Sequence, residues 1–227
     1  LSSARNSVLR LSGNSFVGST ISLGDKYYAI ASNGNTFVLC GEEGKILTSI
    51  DGTSWTSRNS GTSERLNRIK FNGDEFVCVG QNGVLLRSVD GVSWNTVHSG
   101  GPDYLDVATF DDAYYIVSSY EGPILRCDRN GNLEDLKLLF RTVYGIAASE
   151  NRLVICGPNG LLAHSSDGER WFNLDGRNGG GLFGYTFVDG KGVLAWHPNP
   201  IRGLEFSKDL QVWHQSTSSE EYSIPFS

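Results

Sequence analysis

Residues 49–55 read SIDGTSW, residues 88–94 read SVDGVSW and residues 165–171 read SSDGERW. A serine, an aspartate, a glycine and a tryptophan at fixed offsets invite a chemical reading: a nucleophile, a carboxylate, a turn and an aromatic platform. The spacing points elsewhere. The dipeptides Asn33-Gly34, Asn72-Gly73, Asp111-Asp112, Glu150-Asn151 and Asp189-Gly190 recur every 39 residues, each between two apolar or alternating bursts such as NRIKF and EFVCVG. Asn-Gly and Asp-Gly between such bursts suit a two-residue hairpin, whose two central residues both take positive φ. Each repeat therefore opens with a β-hairpin.

A Gly-x-x-Gly turn follows the second strand, as GEEG (41–44), GQNG (80–83) and GPNG (157–160). A third strand comes next, KILTS or VLLRS, then the Asp-Gly turn, then a fourth strand led by the tryptophan. Four antiparallel strands per repeat make one blade of a β-propeller. The tryptophan column runs Phe16, Trp55, Trp94, Leu133, Trp171 and Trp213. The expected fold is all-β: a six-bladed β-propeller in one domain spanning 1–227, with blades at about 25–62, 63–101, 102–140, 141–178 and 179–217. One shared blade, 1–24 plus 218–227, is completed from both chain ends, with EYSIPF (221–226) as its first strand. Five full blades plus a partial one is the alternative.

The pattern S-x-D-G-x-x-W after a strand resembles the Asp-box, or bacterial-neuraminidase (BNR), repeat. Three boxes match fully, SKDLQVW (207–213) matches in part, and SGNSF (12–16) and CDRNGNL (127–133) are eroded. The longer stretch from Trp55 to Gly91 is also similar to blades of bacterial and phage surface propellers and of photosystem II assembly-factor propellers. The resemblance covers nearly the whole chain and implies the fold; one fold carries many functions.

The box residues Ser49, Asp51, Gly52, Trp55, Ser88, Asp90, Gly91, Trp94, Ser165, Asp167, Gly168, Trp171, Asp209 and Trp213 are read as structural. The aspartates accept backbone N–H bonds at a turn, the glycines supply positive φ, and each tryptophan buries its ring while its indole N–H finds a carbonyl. An active site needs different groups converging in one place, whereas this motif repeats. One carboxylate per box is too few oxygen ligands for calcium. Sialidases share the boxes, but their Phe/Tyr-Arg-Ile-Pro motif is missing: YSIP (222–225) has serine in place of the arginine and lies at the wrong end.

Composition narrows the partners. A net charge of −6 and a pI near 5.2 argue against nucleic acid or an anionic membrane surface. No apolar run approaches the roughly 20 residues of a membrane-spanning helix, so no membrane insertion is expected. The chain lacks methionine even at position 1, which points to a processed chain or an excised piece. Cys40, Cys78 and Cys156 fall in similar strands of different repeats, FVLCG, FVCVG and LVICG. These three are read as sitting at similar sites that do not face one another, and all four, Cys127 included, as buried free thiols. No CxxC or Cys/His cluster occurs, so neither a metal nor a cofactor is expected. An extracellular, cell-surface or virion setting is expected, although free thiols also suit the cytoplasm.

Function is sought where the repeat breaks. Loops joining second to third strands and blade to blade open on one face; the box turns open on the other. Two insertions lie on the loop face, DGRNGGG (175–181) and AWHPNPIRG (195–203). They offer Arg177, Asn178, Trp196, His197, Asn199 and Arg202, an aromatic platform with planar hydrogen-bonding groups suited to a sugar or a peptide. Drifting repeats also tolerate insertions cheaply, and on that reading Trp196 is core. His98 and Asp103 could form a dyad but have no nucleophile to activate. Arg68, Lys70, Asp106 and Tyr185 on first strands are candidates to line a central channel. The resulting expectation is a non-catalytic recognition module for a surface glycan or a protein. A glycoside hydrolase or lyase, and an assembly scaffold, are the competing classes.

Overall fold

The computed structural model describes residues 6–12, 15–21, 26–118, 123–136, 142–158, 161–173, 180–188, 191–198, 203–207 and 214–215, with side-chain environments from 26 to 173. The chain divides into two compact units, Leu1–Leu138 and Leu139–Ser227.

In the first unit, β1 (Asn6–Ser12) and β2 (Ser15–Ile21) form an antiparallel two-stranded sheet. Three four-stranded antiparallel sheets follow, each in chain order. The first contains β3 (Tyr27–Ser32), β4 (Phe37–Gly41), β5 (Ile46–Ser49) and β6 (Thr56–Arg58). The second contains β7 (Leu66–Phe71), β8 (Phe76–Gly80), β9 (Leu85–Ser88) and β10 (Asn95–His98). The third contains β11 (Tyr104–Phe110), β12 (Ala113–Ser118), β13 (Ile124–Cys127) and β14 (Leu133–Asp135). The second unit repeats the plan twice, in β15 (Gly145–Ser149), β16 (Arg152–Cys156), β17 (Leu162–Ser165) and β18 (Phe172–Asn173), then in β19 (Gly180–Val188), β20 (Lys191–Pro198), β21 (Gly203–Ser207) and β22 (His214–Gln215). EYSIPF (221–226) lies outside the described residues.

Second strands read as apolar runs because both of their faces are covered. Every residue of FVCVG and of AYYIVS is buried. Alternation is the signature of a sheet with one wet face, and these sheets pack on both sides. One seam gathers Val38, Cys40 and Ile46 of the first sheet with Leu66, Ile69, Phe76, Cys78, Val84 and Leu86 of the second. The next joins Val77, Val79 and Leu85 to Tyr104, Val107, Tyr114, Ile116, Leu125 and Cys127. Fourth strands carry the polar residues TSR, NTVH and LED.

The seams correct the cysteine reading. All four cysteines are buried thiols, but Cys40 and Cys78 share one seam. In the 39-residue repeat Cys78 corresponds to Leu39, so the two thiols sit one position apart on equivalent strands. That parity change turns them to opposite faces of their sheets, and therefore toward each other. Burial, and then the Cys40 thiol, pushes the Cys78 thiol up.

The two Asn-Gly hairpin turns differ from the two-residue form expected, which the register keeps between Phe110 and Ala113, Ser149 and Arg152, and Val188 and Lys191. Ser32 pairs with Phe37 and Phe71 with Phe76, so the loops span 33–36 and 72–75. Asn33 Oδ1 accepts the N–H groups of Asn35 and Thr36 at 3.0 and 2.8 Å, and Asn72 Oδ1 those of Asp74 and Glu75 at 2.9 and 2.8 Å. The asparagine side chain closes the turn, so only its glycine needs positive φ. Asp111-Asp112 is a two-residue turn with φ of 47° and 56°.

The third repeat replaces its eroded box with a contact between sheets. Arg129 stands where the box has its aspartate and pairs with Glu75 at the β7–β8 turn. Tyr114 Oη donates to Glu75 Oε1 at 2.7 Å, Arg129 Nη1 donates to Tyr114 Oη at 2.8 Å, and Arg129 Nε donates to Asp112 Oδ1 at 2.8 Å. The guanidinium lies 4.8 Å from the Tyr114 ring centroid. Glu75 is only 6% exposed. Removing Arg129 strands a buried carboxylate, so Arg129→Ala is expected to cost about 3 kcal/mol in urea unfolding. Adding Glu75→Gln to that variant should recover more than half of the loss, and a purely additive double variant would refute the coupling.

Candidate functional site

The S-x-D-G-x-x-W turns are self-contained. Asp51 Oδ1 accepts N–H bonds from Thr53 at 2.7 Å and Ser54 at 2.8 Å, and the Ser49 hydroxyl at 2.9 Å. Ser49 Oγ in turn accepts the Gly52 N–H at 2.8 Å. Asp90 repeats the set with Val92, Ser93 and Ser88, and Asp167 with Glu169, Arg170 and Ser165, all within 2.8–3.0 Å. Gly52, Gly91 and Gly168 have φ of 71°, 74° and 77°. The indoles of Trp94 and Trp171 donate to Gly91 O and Gly168 O at 3.1 and 3.2 Å. Trp55 packs beside Leu39, Leu47 and Tyr27, but its indole nitrogen has no hydrogen-bond partner. Asp209 and Trp213 lie outside the described residues. In the eroded third box Asp128, one position early, accepts the N–H groups of Asn130 and Asn132 at 2.8 and 2.9 Å. In each full box the turn engages one carboxylate oxygen, Oδ1.

The opposite end of each sheet carries the second-to-third-strand turns and the sheet-to-sheet connections. In the first unit the backbones of these segments are bonded together. Glu42 N–H donates to Lys26 O at 2.9 Å, Gln81 N–H to Arg65 O at 2.8 Å and Gly100 N–H to Asn82 O at 2.8 Å. The approach is so close that a Cβ on Gly41 or Gly80 would overlap those same carbonyls, of Lys26 and Arg65. This is why the turn begins with glycine although Gly41 itself is extended, at φ −164°. The connections thus form a fixed platform.

First strands carry a β-bulge at this end, between Tyr27 and Ala29 in β3 and between Leu66 and Arg68 in β7. A bulge releases one residue from the ladder and re-aims its side chain. The released residues are Tyr28 and Asn67. Tyr28 is 40% exposed and its hydroxyl donates to Glu42 Oε1 at 2.5 Å, with Lys26 Nζ 3.7 Å from the same oxygen. The Arg65 guanidinium lies 5.4 Å from the Tyr28 ring centroid, while Arg65 Nε donates to Asn67 Oδ1 at 2.8 Å. Asn67 Nδ2 donates to Tyr104 O of the third sheet at 2.7 Å. The Tyr28 hydrogen bond holds the Glu42 carboxyl below its usual range, and the carboxylate pushes the Tyr28 phenol up. Tyr28 keeps its proton at neutral pH, the opposite of an activated phenolate nucleophile.

His98 and Asp103 are engaged separately. His98 Nδ1 lies 3.1 Å from Gly83 O and 3.4 Å from Tyr104 Oη. Asp103 Oδ1 accepts the Asn82 N–H at 3.0 Å, and Oδ2 accepts Gln81 Nε2 at 3.4 Å. Among the described residues no three His, Cys, Asp or Glu side chains gather as a metal site. In the second unit the 195–203 insertion is strand over much of its length: Trp196 pairs with Leu182 and Gly203, and His197 with Gly181. The inserted residues lengthen the β19–β20 ladder. Arg177, Asn178, Asn199 and Arg202 lie outside the described residues.

No protein-family model matches the chain, and no curated protein matches it in sequence. Solved structures do. A streptogramin B lyase matches with a TM-score of 0.68 at 16% identity, over 83% of this chain and 69% of that one. A nidogen/laminin complex gives 0.64 at 12% identity over 90% and 86%. YCF48 bound to D1 peptide gives 0.63 at 16% identity over 84% and 68%. Identities this low carry the fold alone: the chain is an all-β protein of the β-propeller fold, and its four-stranded sheets are blades.

The turn carboxylates predict an acid limb in stability. Backbone N–H bonds, from Ser54 to Asp51, from Ser93 to Asp90 and from Arg170 to Asp167, are the leading cause that lowers each carboxyl. A lowered folded-state pKa contributes stability that is complete above the unfolded value near 3.9 and is lost as pH falls through the folded values. The melting temperature should be insensitive to these groups above about pH 5 and fall steeply below about pH 4. Asp90→Asn should lower it at neutral pH and flatten the acid limb; an unchanged limb would remove the turns as its cause.

Proposed function

We propose that the chain is a non-catalytic recognition module, an Asp-box β-propeller that binds a protein segment on the face carrying the inter-blade connections. The observation that carries this reading is the bulged Tyr28, an exposed aromatic held by its hydrogen bond to Glu42 and by the Arg65 guanidinium on its ring, with Lys26 beside the same Glu42 carboxylate, on a platform of bonded backbones. An aromatic beside an arginine, both held in place before binding, has the character of an interface anchor, because little side-chain entropy remains to be lost. Two structural neighbours are protein complexes, a nidogen/laminin complex and YCF48 bound to D1 peptide. The candidate set in the second unit, Arg177, Asn178, Trp196, His197, Asn199 and Arg202, is proposed as a further ligand surface, for a glycan or a peptide. The enzymatic alternative keeps some support from the lyase among the neighbours.

The test is a displayed library of random peptides selected on the immobilised chain, with a glycan array probed in parallel. Selected peptides should lose about tenfold or more in affinity for Tyr28→Ala at unchanged melting temperature. Peptides that bind Tyr28→Ala as well as the parent, or a glycan that Trp196→Ala alone releases, would move the site to the second unit. Turnover of aryl glycosides lost on Glu42→Gln would overturn the non-catalytic reading.

A further inference from the structure

The first strands β3, β7 and β11 lie side by side in the first unit. On β7, Arg68 and Lys70 are two positions apart and so share a face, and both approach Asp106 of β11. Lys70 Nζ lies 2.8 Å from Asp106 Oδ1, and the Val107 N–H donates to the same oxygen at 2.9 Å. Arg68 Nε reaches that oxygen only at 3.5 Å, beyond hydrogen-bonding range for a well-made pair. Arg68 has no other partner among the described residues, and its side chain is 44% exposed while that of Asp106 is 9% exposed. A guanidinium with its terminal donors uncommitted is therefore held beside an ammonium, at a carboxylate oxygen already engaged by others.

We propose that Arg68 and Lys70 form a binding site for a small oxyanion of the carboxylate or phosphate type. The proposal does not rest on the recognition reading. Both cations face the single Asp106 carboxylate, which Lys70 approaches more closely, so an added anion is drawn to the guanidinium side of the pair. The guanidinium offers a planar fork that matches two oxygens of a carboxylate or phosphate, and the lysine adds a point charge. Asp106 orients both cations and at the same time competes with the ligand for them. In a chain of net charge −6 such a site is a local exception, so its occupant is selected by these side chains rather than by the overall field.

Competition by Asp106 gives the test its sign. Inorganic phosphate, and separately acetate, is titrated into the full chain labelled with nitrogen-15, reading the Arg68 Nε–H resonance and the heat of binding. Sodium chloride at equal ionic strength is the control. Saturable binding is expected, with Kd raised about tenfold or more by Arg68→Gln and raised also by Lys70→Gln. Asp106→Asn, which removes the competing charge, should lower Kd severalfold; the two β7 variants carry the test if that variant does not fold. Phosphate bound in preference to acetate marks a phosphate site, and the reverse marks a carboxylate site. A chloride response equal to that of both anions, an Arg68→Gln affinity equal to the parent, or weaker binding by a folded Asp106→Asn would overturn the proposal.

Discussion

Coverage of both faces of the second strands, as seen in β4, β8, β12 and β16, is the constraint on which the rest depends. A four-stranded sheet whose second strand reads FVCVG or AYYIVS cannot stand alone, because either uncovered face would leave a band of valine, tyrosine and isoleucine in water. Neighbouring sheets supply the cover, and the two seams of the first unit show how. Once sheets are stacked in this way, their first strands are brought side by side and their fourth strands left outermost. Polarity follows position, with the fourth strands bearing TSR, NTVH and LED.

Much of this was legible in the chain itself. The 39-residue spacing and the turn dipeptides placed the hairpins, and the recurring serine, aspartate, glycine and tryptophan placed the third-to-fourth-strand turns. What the repeat conceals is parity. Cys40 and Cys78 looked equivalent because their strands are, yet a one-residue offset turns them to opposite sheet faces and into the same seam. Turn length was concealed for a similar reason: Asn-Gly serves a two-residue turn or a four-residue loop closed by the asparagine side chain, and only the strand register distinguishes them.

The candidate site was less legible because backbone irregularity builds it. Tyr28 and Asn67 occupy one column of the repeat, but neither carries a motif, and a bulge is what turns Tyr28 toward Glu42 and Asn67 toward the next sheet. The visible sequence anomaly, the insertion around Trp196, lengthens a strand pair. An unusual loop length was the available signal, and it reports on the ladder as readily as on a ligand.

The two ends of the sheets differ in what they leave unspent. At the turn end, an oxygen of each aspartate, serine and asparagine accepts N–H groups two or three residues away, so the turns are closed by local bonds. Where a box has eroded, Asp128 rebuilds the local bonds and Arg129 adds a clamp to Glu75, so that even the exception is spent on cohesion. At the other end the bonds that fix the platform run between backbones, and Asn67 and Asp103 add side-chain bonds to them. Tyr28, Arg65 and Lys26 are therefore held in place while still meeting solvent. Side chains at that end can change without unmaking a turn, whereas a change at an S-x-D-G-x-x-W turn removes the bonds that shape it. Sequence is thus freer to vary on one face, while the other is kept uniform by its own hydrogen bonds.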